Sequence, residues 1–373
     1  MPARYLRALA AHHARHLVPG GPLSWIAALH RAGIGTEPWA LDPQIRERNT
    51  LGLYHGTTRL LEVKLKKGAG GEEVVFSASD SYGEIGRASA TAHAALMKAW
   101  PLDEAAKLEG LCREYLAKAI DAADVSRYAN RKEGYWQNRL ALYFGGNWTP
   151  KKEWIVFDRE AVLGFSNEEE ASKHFGPIRE RYEKAARELQ AADAVRFGTA
   201  EPKLGNEIDL LALGPANELL CIEVKHGANA AGIYWSPLQA GVYRDALEAA
   251  AEIVFEGVRR LVQQKVAVGL LPPAALLWLP EEKFSSIQAV VAVAEPNTRS
   301  DCWRSLEIVQ ERLGAAGRAQ VVTFAVGEAN QLVLEQVSPK ARERDRDKDK
   351  DREKEKEPEK ERVREKDKEK ARA

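Results

Sequence analysis

The chain has 373 residues, 45% of them hydrophobic, and its 55 Lys and Arg residues balance its 55 Asp and Glu residues. This length exceeds one small core and predicts one or two domains with ample apolar material for a packed interior. The three cysteines are widely spaced and no apolar run is long enough to cross a bilayer, which excludes a disulfide-stapled fold and a membrane helix. The N-terminus lacks the apolar core of a signal peptide, so we expect a soluble, cytoplasmic protein with no membrane partner.

Residues 1–165 predict an N-terminal α+β domain to which the sequence assigns no role. Apolar residues recur at helical spacing in residues 5–17, 23–32, 88–100 and 103–122. Shorter apolar runs predict strands at residues 60–65, 73–77, 140–144 and 154–157.

Three histidines, His12, His13 and His16, fall on the first of these helices, and His12 and His16 share a face. A protein zinc site needs further ligands, and no acidic or cysteine residue lies close by in the sequence. A solvated helix is therefore the favoured interpretation.

Residues 53–58 read Leu-Tyr-His-Gly-Thr-Thr. They resemble the first motif of ADP-ribosyltransferases and related RNA phosphotransferases, which implies that His55 holds a nicotinamide ribose or its equivalent. Residues 75–77 are a candidate second motif, but we can assign neither the later aromatic strand nor the catalytic glutamate of that family. A loop histidine capped by threonines is the alternative, and a transferase activity ranks below the functions considered next.

A segment rich in tryptophan and basic residues closes the first half of the chain. Such side chains can stack single-stranded bases, although aromatic residues are more often part of a core. The residues concerned are Trp136, Trp148 and Trp154, with Arg139, Lys151 and Lys152.

Residues 166–337 predict an α/β domain. Ser166 or Asn167 can cap a helix with three glutamates in its first turn, and Gly176-Pro177 restarts that helix. Further helices are expected from Ser236-Pro237 and near residues 301–313, and strands at residues 194–197, 275–279, 287–294 and 320–326. Strands this apolar indicate a sheet that is covered on both faces.

The most informative feature is a hairpin between residues 205–213 and 218–225, with turn residues between two apolar runs. Because side chains alternate along a strand, Glu223 and Lys225 project from one side. A short connection places Asp209 opposite Glu223 on that same side. Charges gathered among apolar strands are costly to bury unless they pair or bind a metal.

Two carboxylates without clustered Cys or His favour Mg²⁺ or Mn²⁺ over Zn²⁺. Asp209 and Glu223 are the expected ligands, and the Val224 carbonyl and waters complete the coordination. Such an ion activates water for attack on a phosphodiester, and Lys225 would position that water or stabilise the developing charge.

Gln239 and Tyr243 are four residues apart on the helix after the hairpin and share a face. With Asp209 and the Glu-Val-Lys triplet, they resemble the PD-(D/E)XK nuclease superfamily, particularly its RecB-like members with a Gln-x-x-x-Tyr motif. The resemblance covers roughly residues 177–243. It implies a restriction-endonuclease-like mixed central sheet flanked by helices, two metal-binding carboxylates and a catalytic Lys225. It also implies that Gln239 and Tyr243 support the site or contact the nucleic-acid backbone.

The same resemblance implies a glutamate on the helix before the sheet. Glu183 is the best match, and Glu180 and Glu188 remain alternatives. Ile208 stands where the superfamily usually has a proline before the first aspartate.

Glu-x-Lys alone is a weak signal, because residues 62–64 repeat it without a partner aspartate on a neighbouring strand. We interpret that second copy as a chance occurrence. For the downstream triplet, the alternative interpretation is an ordinary ion-paired strand end.

Residues 166–337 carry 17 Lys and Arg against 24 Asp and Glu. We therefore expect the more basic N-terminal half to help hold the substrate. The sequence as a whole predicts a metal-dependent nuclease, with DNA favoured over RNA as its nucleic-acid partner. The alternative is a non-catalytic module that binds nucleic acid or protein on an inactive nuclease fold.

Residues 338–373 form a tail made almost entirely of charged residues. It cannot bury an apolar face, so we expect it to be disordered or a single solvated helix. The alternative is an arm that docks onto RNA or protein.

Overall fold

The fold is mixed α/β and contains two β-sheets. The computed structural model describes residues 4–5, 7–29, 41–68, 70–78, 90–122, 133–202, 204–205, 207–326 and 332–336. The charged tail at residues 338–373 lies outside this range, as do residues 30–32 and 88–89 of the expected N-terminal helices.

The first sheet is an antiparallel meander whose strands are neighbours in chain order. Its strands are β1 Asp42–Glu47, β2 Thr50–His55, β3 Thr58–Gly68, β4 Gly71–Ser77 and β5 Ala99–Pro101. The accompanying helices are α1 Ala11–Ala14, α2 Ser24–Ala28, α3 Ala90–Leu96 and α4 Glu109–Ala122, with a 3₁₀ helix at Leu102–Leu108. The helices expected at residues 5–17 and 88–100 are therefore shorter than predicted, and the second is followed by a strand.

The second sheet has the order β11-β10-β9-β8-β7-β6. Its strands are β6 Ile155–Ala161, β7 Ile208–Leu213, β8 Leu219–His226, β9 Ile287–Ala294, β10 Gln320–Val326 and β11 Leu332–Gln336. Strands β6, β7 and β8 are antiparallel neighbours, β8, β9 and β10 run parallel, and β11 is antiparallel to β10.

Helices cover both faces of this sheet. They are α5 Glu133–Phe144, α6 Glu168–Ala192, α7 Ala194–Phe197, α8 Ala230–Glu248, α9 Ala251–Ala267 and α10 Cys302–Gly317, with a 3₁₀ helix at Pro273–Leu276. One face packs apolar side chains against α5, including Leu210 and Val224 against Trp136. The other face packs against α8 and its neighbours.

The expected boundary between residues 165 and 166 does not separate the two sheets. Strand β6 pairs with β7 in the second sheet, although it precedes that boundary. A shared cluster of buried apolar residues also joins the halves, and it includes Tyr5 and Leu53 together with Leu211 and Val258. The residues assigned to an N-terminal domain therefore contribute directly to the second sheet and its core.

Several local predictions were wrong for identifiable reasons. Residues 194–197 form a helical turn instead of a strand, because the Asp193 carboxylate accepts a hydrogen bond from the Arg196 N–H and caps it. Residues 140–144 are the last part of α5, and the strand expected at 275–279 is replaced by a 3₁₀ helix that begins at Pro273. Pro177 lies inside α6 and does not restart a helix.

The helix expected to start at Ser236-Pro237 begins earlier, at Ala230, where the Asn229 side chain accepts a hydrogen bond from the Gly232 N–H. Pro237 cannot donate to the Ile233 carbonyl four residues before it. The Ser236 hydroxyl donates to that carbonyl instead, at 2.6 Å. This replacement allows the helix to continue through the proline.

All three cysteines are buried, and none forms a disulfide. Within the described ranges, every helix is either too short or too polar to span a bilayer.

Candidate metal centre at the end of the second sheet

The β7–β8 hairpin places Asp209 opposite Glu223, as the sequence predicts. The ladder pairs Leu213 with Leu219 and continues to Leu210 with Ile222, so the next positions are Asp209 and Glu223. Beyond the last ladder pair, the Val224 N–H donates to Asp209 Oδ2 at 2.7 Å. The aspartate is thus fixed to the neighbouring strand at the point where backbone pairing ends.

Lys225 lies at the centre of a group of carboxylates. Its Nζ is 2.7 Å from Glu223 Oε1 and 3.2 Å from Glu133 Oε1. Glu223 is 4% exposed and Lys225 is 6% exposed, so this pair is almost completely removed from solvent. The Glu133 side chain is 39% exposed and marks the open side of the group.

Glu133 and Gln137 are site residues that the sequence analysis missed. Both lie on α5, and Gln137 Nε2 donates to Asp209 Oδ1 at 3.2 Å and to its carbonyl at 3.3 Å. A signal for them is present in the sequence, because Trp136, Leu140 and Phe144 recur every four residues as on a helix face. A helix in this segment also places Glu133 and Gln137, four residues apart, on one common face.

The three carboxylates oppose one another electrostatically. Burial and the nearby Glu223 raise the pKa of Asp209 well above its ordinary value, against the lowering effect of Lys225. Burial likewise raises the pKa of Glu223, again against Lys225. Burial alone would lower the pKa of Lys225, but Glu223, Asp209 and Glu133 together raise it, so the ammonium stays charged.

Tyr243 of α8 faces the same group. It is 2% exposed, and its hydroxyl has no hydrogen-bond partner among the residues that the structure describes. Burial and then the charges of Glu223 and Glu207 raise its pKa. The Tyr243 hydroxyl thus lies within the electrostatic influence of the carboxylates, and Gln239 lies one turn earlier on α8, where it is half-buried.

Arg179 of α6 is a further missed residue near the site. Its guanidinium lies 5.2 Å from the centre of the Phe175 ring, and its charge lowers the pKa of Tyr243. Its Nε is buried and has no hydrogen bond among the described residues. The side chain therefore brings a positive charge to the edge of an acidic region.

Glu183 does not occupy the position expected of the helix glutamate. It is half-buried on α6, and its carboxylate lies 3.9 Å from Arg187 of the same helix. Glu180 also pairs with Arg187, and Glu188 pairs with Arg312. The helix carboxylate that pairs with Lys225 is that of Glu133 on α5.

The second Glu-x-Lys copy lacks this environment. Glu62 pairs with Arg59 at 2.6 Å, and Lys64 is exposed on β3. Asp42, the aspartate of β1, lies 3.2 Å from Arg159 in a different buried network. These contacts agree with the interpretation of residues 62–64 as a chance occurrence.

The structure gives packing or turn explanations for two weaker sequence patterns, the His55 motif and the tryptophans proposed to stack bases. His55 and Thr58 pair at the end of a tight hairpin, where Gly56 has a φ of 62°. Trp136 and Trp154 are 0% and 4% exposed and belong to the core beneath the sheet, so they are not available to stack bases.

The donor types are those of a hard divalent cation site. Asp209, Glu223 and Glu133 offer carboxylate oxygens, the ligand type that Mg²⁺ and Mn²⁺ prefer, but within the described part of the chain they do not form a group whose ligand atoms all lie within 4.8 Å of one another. One ammonium, that of Lys225, faces these three carboxylates. Burial is the main reason that the pKa values of Asp209 and Glu223 are raised, and repulsion from the neighbouring carboxylates adds to it. The Val224 N–H donates its hydrogen bond to Asp209. The Val224 carbonyl is the backbone group that the sequence analysis expected to bind the metal.

Comparison of the chain with protein-family models, with curated proteins and with solved structures finds no significant match.

Proposed function

We propose that the chain is a Mg²⁺- or Mn²⁺-dependent nuclease whose active site is the group around Lys225. The observation that carries this proposal is a buried lysine held between carboxylates at the end of a strand pair, near a buried tyrosine hydroxyl that has no hydrogen-bond partner in the described part of the chain. An ordinary ion pair would leave neither excess negative charge nor an orphaned polar group in the same place.

The order of elements supports a restriction-endonuclease-like assignment of the second sheet. Helix α5 precedes an antiparallel run of β6, β7 and β8, and a crossover through α8 and α9 then leads to a parallel strand, β9. In this proposal α5 is the helix before the sheet, and Glu133 takes the role that the sequence suggested for Glu183.

Asp209, Glu223 and Glu133 would hold the cation through carboxylate oxygens. When bound, a divalent cation supplies a Lewis acid for a phosphoryl oxygen and lowers the pKa of its water. Lys225 donates hydrogen bonds toward the attacking water or the phosphate, where negative charge develops. The carboxylates keep this ammonium protonated and oriented, and Gln137 fixes Asp209 from the other side.

Tyr243 and Arg179 provide the contacts expected for a phosphodiester strand. The unpaired Tyr243 hydroxyl can donate to a phosphate oxygen, which would satisfy it. The Arg179 guanidinium can pair with a flanking phosphate. DNA is the favoured substrate, and RNA uses the same phosphate chemistry.

The test is hydrolysis of single- and double-stranded DNA with Mg²⁺ or Mn²⁺. Lys225→Met should abolish cleavage, whereas Lys64→Met, the matched change in the second Glu-x-Lys copy, should leave it intact. Equal cleavage by wild type and Lys225→Met would contradict the proposed site.

If the folded wild type cleaves neither DNA substrate, the same assay should be repeated with RNA. Thermal unfolding with and without Mg²⁺ then separates an enzyme from an inactive binding module. The enzyme's melting temperature should rise with Mg²⁺, and this rise should disappear in Asp209→Asn. An inactive module without a metal site should show no rise in either protein.

A further inference from the structure

The three N-terminal histidines converge with an acidic residue from the first sheet. Ligand atoms of His12, His13 and Glu72 all lie within 4.8 Å of one another. His16 Nε2 lies 3.1 Å from Glu72 Oε2. Folding therefore supplies, from β4, the acidic ligand that was missing from the neighbouring sequence.

We propose that His12, His13, His16 and Glu72 form a Zn²⁺ site that ties the N-terminal segment to β4. Imidazole and carboxylate donors suit Zn²⁺, whereas the all-oxygen set around Lys225 suits Mg²⁺. His12, His13 and Glu72 form the mutually close group, and His16, whose Nε2 lies 3.1 Å from Glu72 Oε2, is the fourth ligand of the proposal. A set of four protein ligands leaves no open position, which is the pattern of a structural zinc site.

The spacing of the donor atoms fits one ion after small side-chain movements. Zinc bonds to nitrogen and oxygen are about 2.0–2.2 Å long, so two ligands of one ion lie at most about 4 Å apart. The observed limit of 4.8 Å for His12, His13 and Glu72 exceeds this by less than one bond length. Rotation of the exposed His12 side chain can close that difference, and its exposure also gives the ion a path from solvent.

His13 already has an outer hydrogen-bond partner of the kind that zinc-bound histidines use. Its Nδ1 lies 3.2 Å from the Arg48 carbonyl, which leaves Nε2 for a metal when Nδ1 carries the proton. The same carbonyl accepts a hydrogen bond from the Ala10 N–H at 2.7 Å. The backbone before α1 and the ring of His13 are therefore anchored at one point.

The segment that carries the histidines is held firmly on both sides. Leu9 and Leu17 are each 1% exposed and belong to the main core. The His16 carbonyl also accepts a hydrogen bond from the Leu23 N–H at 2.9 Å. The backbone that carries the histidines is therefore already ordered, so ion binding costs side-chain entropy, mainly that of the exposed His12, and little backbone entropy.

Arg15 is the competitor of the metal. Its guanidinium lies 2.8 Å from Glu72 Oε2, and its side chain is 62% exposed. Zinc must displace this guanidinium to reach the carboxylate. If the cluster is a zinc site, Arg15→Gln should bind Zn²⁺ more tightly than wild type, whereas a plain salt-bridge cluster gives no such gain.

The experiment is titration of the metal-free full chain with ZnCl₂ by calorimetry, followed by Co²⁺ as a spectroscopic probe of tetrahedral coordination. Wild type and Glu73→Gln, the matched change at the next residue of β4, should bind one Zn²⁺ in this cluster. Glu72→Gln and His12→Asn should lose more than the roughly 10–100-fold in affinity that removal of an outer partner costs. Asp209→Asn should keep the zinc site, which separates it from the proposed nuclease centre.

Circular dichroism confirms that each variant is folded before titration. His12 is exposed, so His12→Asn remains an informative test if Glu72→Gln unfolds. Absence of stoichiometric Zn²⁺ binding in the wild type, or unchanged affinity in His12→Asn, would overturn the proposal.

Discussion

Replacement of Lys225 by methionine tests the electrostatics of the proposed centre independently of any substrate. Methionine keeps most of the aliphatic stem and removes the ammonium. The Lys225–Glu223 pair spans 2.7 Å, and both residues are at most 6% exposed. Loss of one partner of such a buried pair costs about 3–5 kcal/mol in the free energy of unfolding. Glu133 adds little to this cost, because its side chain is 39% exposed and solvent screens it.

The destabilisation should depend on pH with a definite sign. Lys225 holds down the pKa values of Asp209 and Glu223, which burial raises. Without Lys225 these folded-state pKa values rise further, so the folded variant binds more protons than the unfolded chain. The folded variant is therefore favoured at low pH, and this stability is lost as pH rises through the folded-state values. The difference between wild type and variant should widen from pH 5 to pH 8, by at most about 1.4 kcal/mol per pH unit for each carboxylate.

The assay is urea denaturation of wild type, Lys225→Met and Lys64→Met at pH 5, 6.5 and 8. Lys64 is exposed, so its replacement should change the free energy of unfolding by less than about 0.5 kcal/mol at every pH. A Lys225→Met penalty that is the same at pH 5 and pH 8, or that is below about 1 kcal/mol at pH 8, would refute the arrangement of buried charges described here.

Further predictions concern individual side chains. Tyr243→Phe should stabilise the protein by about 1 kcal/mol in thermal unfolding, because it removes a buried hydroxyl that no described residue pairs with. The same change should slow DNA cleavage, and a loss of stability would contradict the assignment. Glu133→Gln should reduce cleavage in the Mg²⁺ assay, whereas Glu183→Gln, the same change on α6, should not, and the reverse order would restore the sequence-based choice. Arg179→Gln should raise the KM for DNA with kcat little changed, and an unchanged KM would remove it from the substrate site. Burial lowers the pKa of Lys265 to about 8, against the attraction of nearby aspartates, so the folded state loses this proton before the unfolded chain does. The stability of wild type relative to Lys265→Met should therefore increase with pH between about 8 and 10, by up to about 1.4 kcal/mol per pH unit in urea denaturation, and a flat difference would refute that pKa shift.

The hairpin could be predicted because its signals are local. Alternating apolar residues and a turn fix the register of β7 and β8, and Asp209 faces Glu223 as expected. Strands β9 and β10 were also predictable, because they are uninterrupted apolar runs with a helix between them. The function of the group around Lys225 stays a prediction.

The site residues on α5 were missed because the last part of this helix was interpreted as a strand. Its end, residues 140–144, is a short apolar run, and such a run fits a buried strand as well as a helix. Choosing a strand hid the common face of Glu133 and Gln137. The long helix that precedes the hairpin in sequence, α6, then offered Glu183, although only the three-dimensional arrangement reveals which helix borders the carboxylates.

Because α5 and β6 belong to the second sheet and its site, deletion of the N-terminal half cannot test whether that half binds substrate. Removal of residues 1–165 would delete Glu133 and Gln137 from the centre and would leave β7 as an unpaired edge strand. It would also expose the shared core that joins Tyr5 and Leu53 to Val258. Such a truncation would lose DNA binding through damage to the centre itself, whether or not the basic half touches DNA. Whether this half contacts the substrate must therefore be tested by changing its exposed basic residues one at a time in the intact chain.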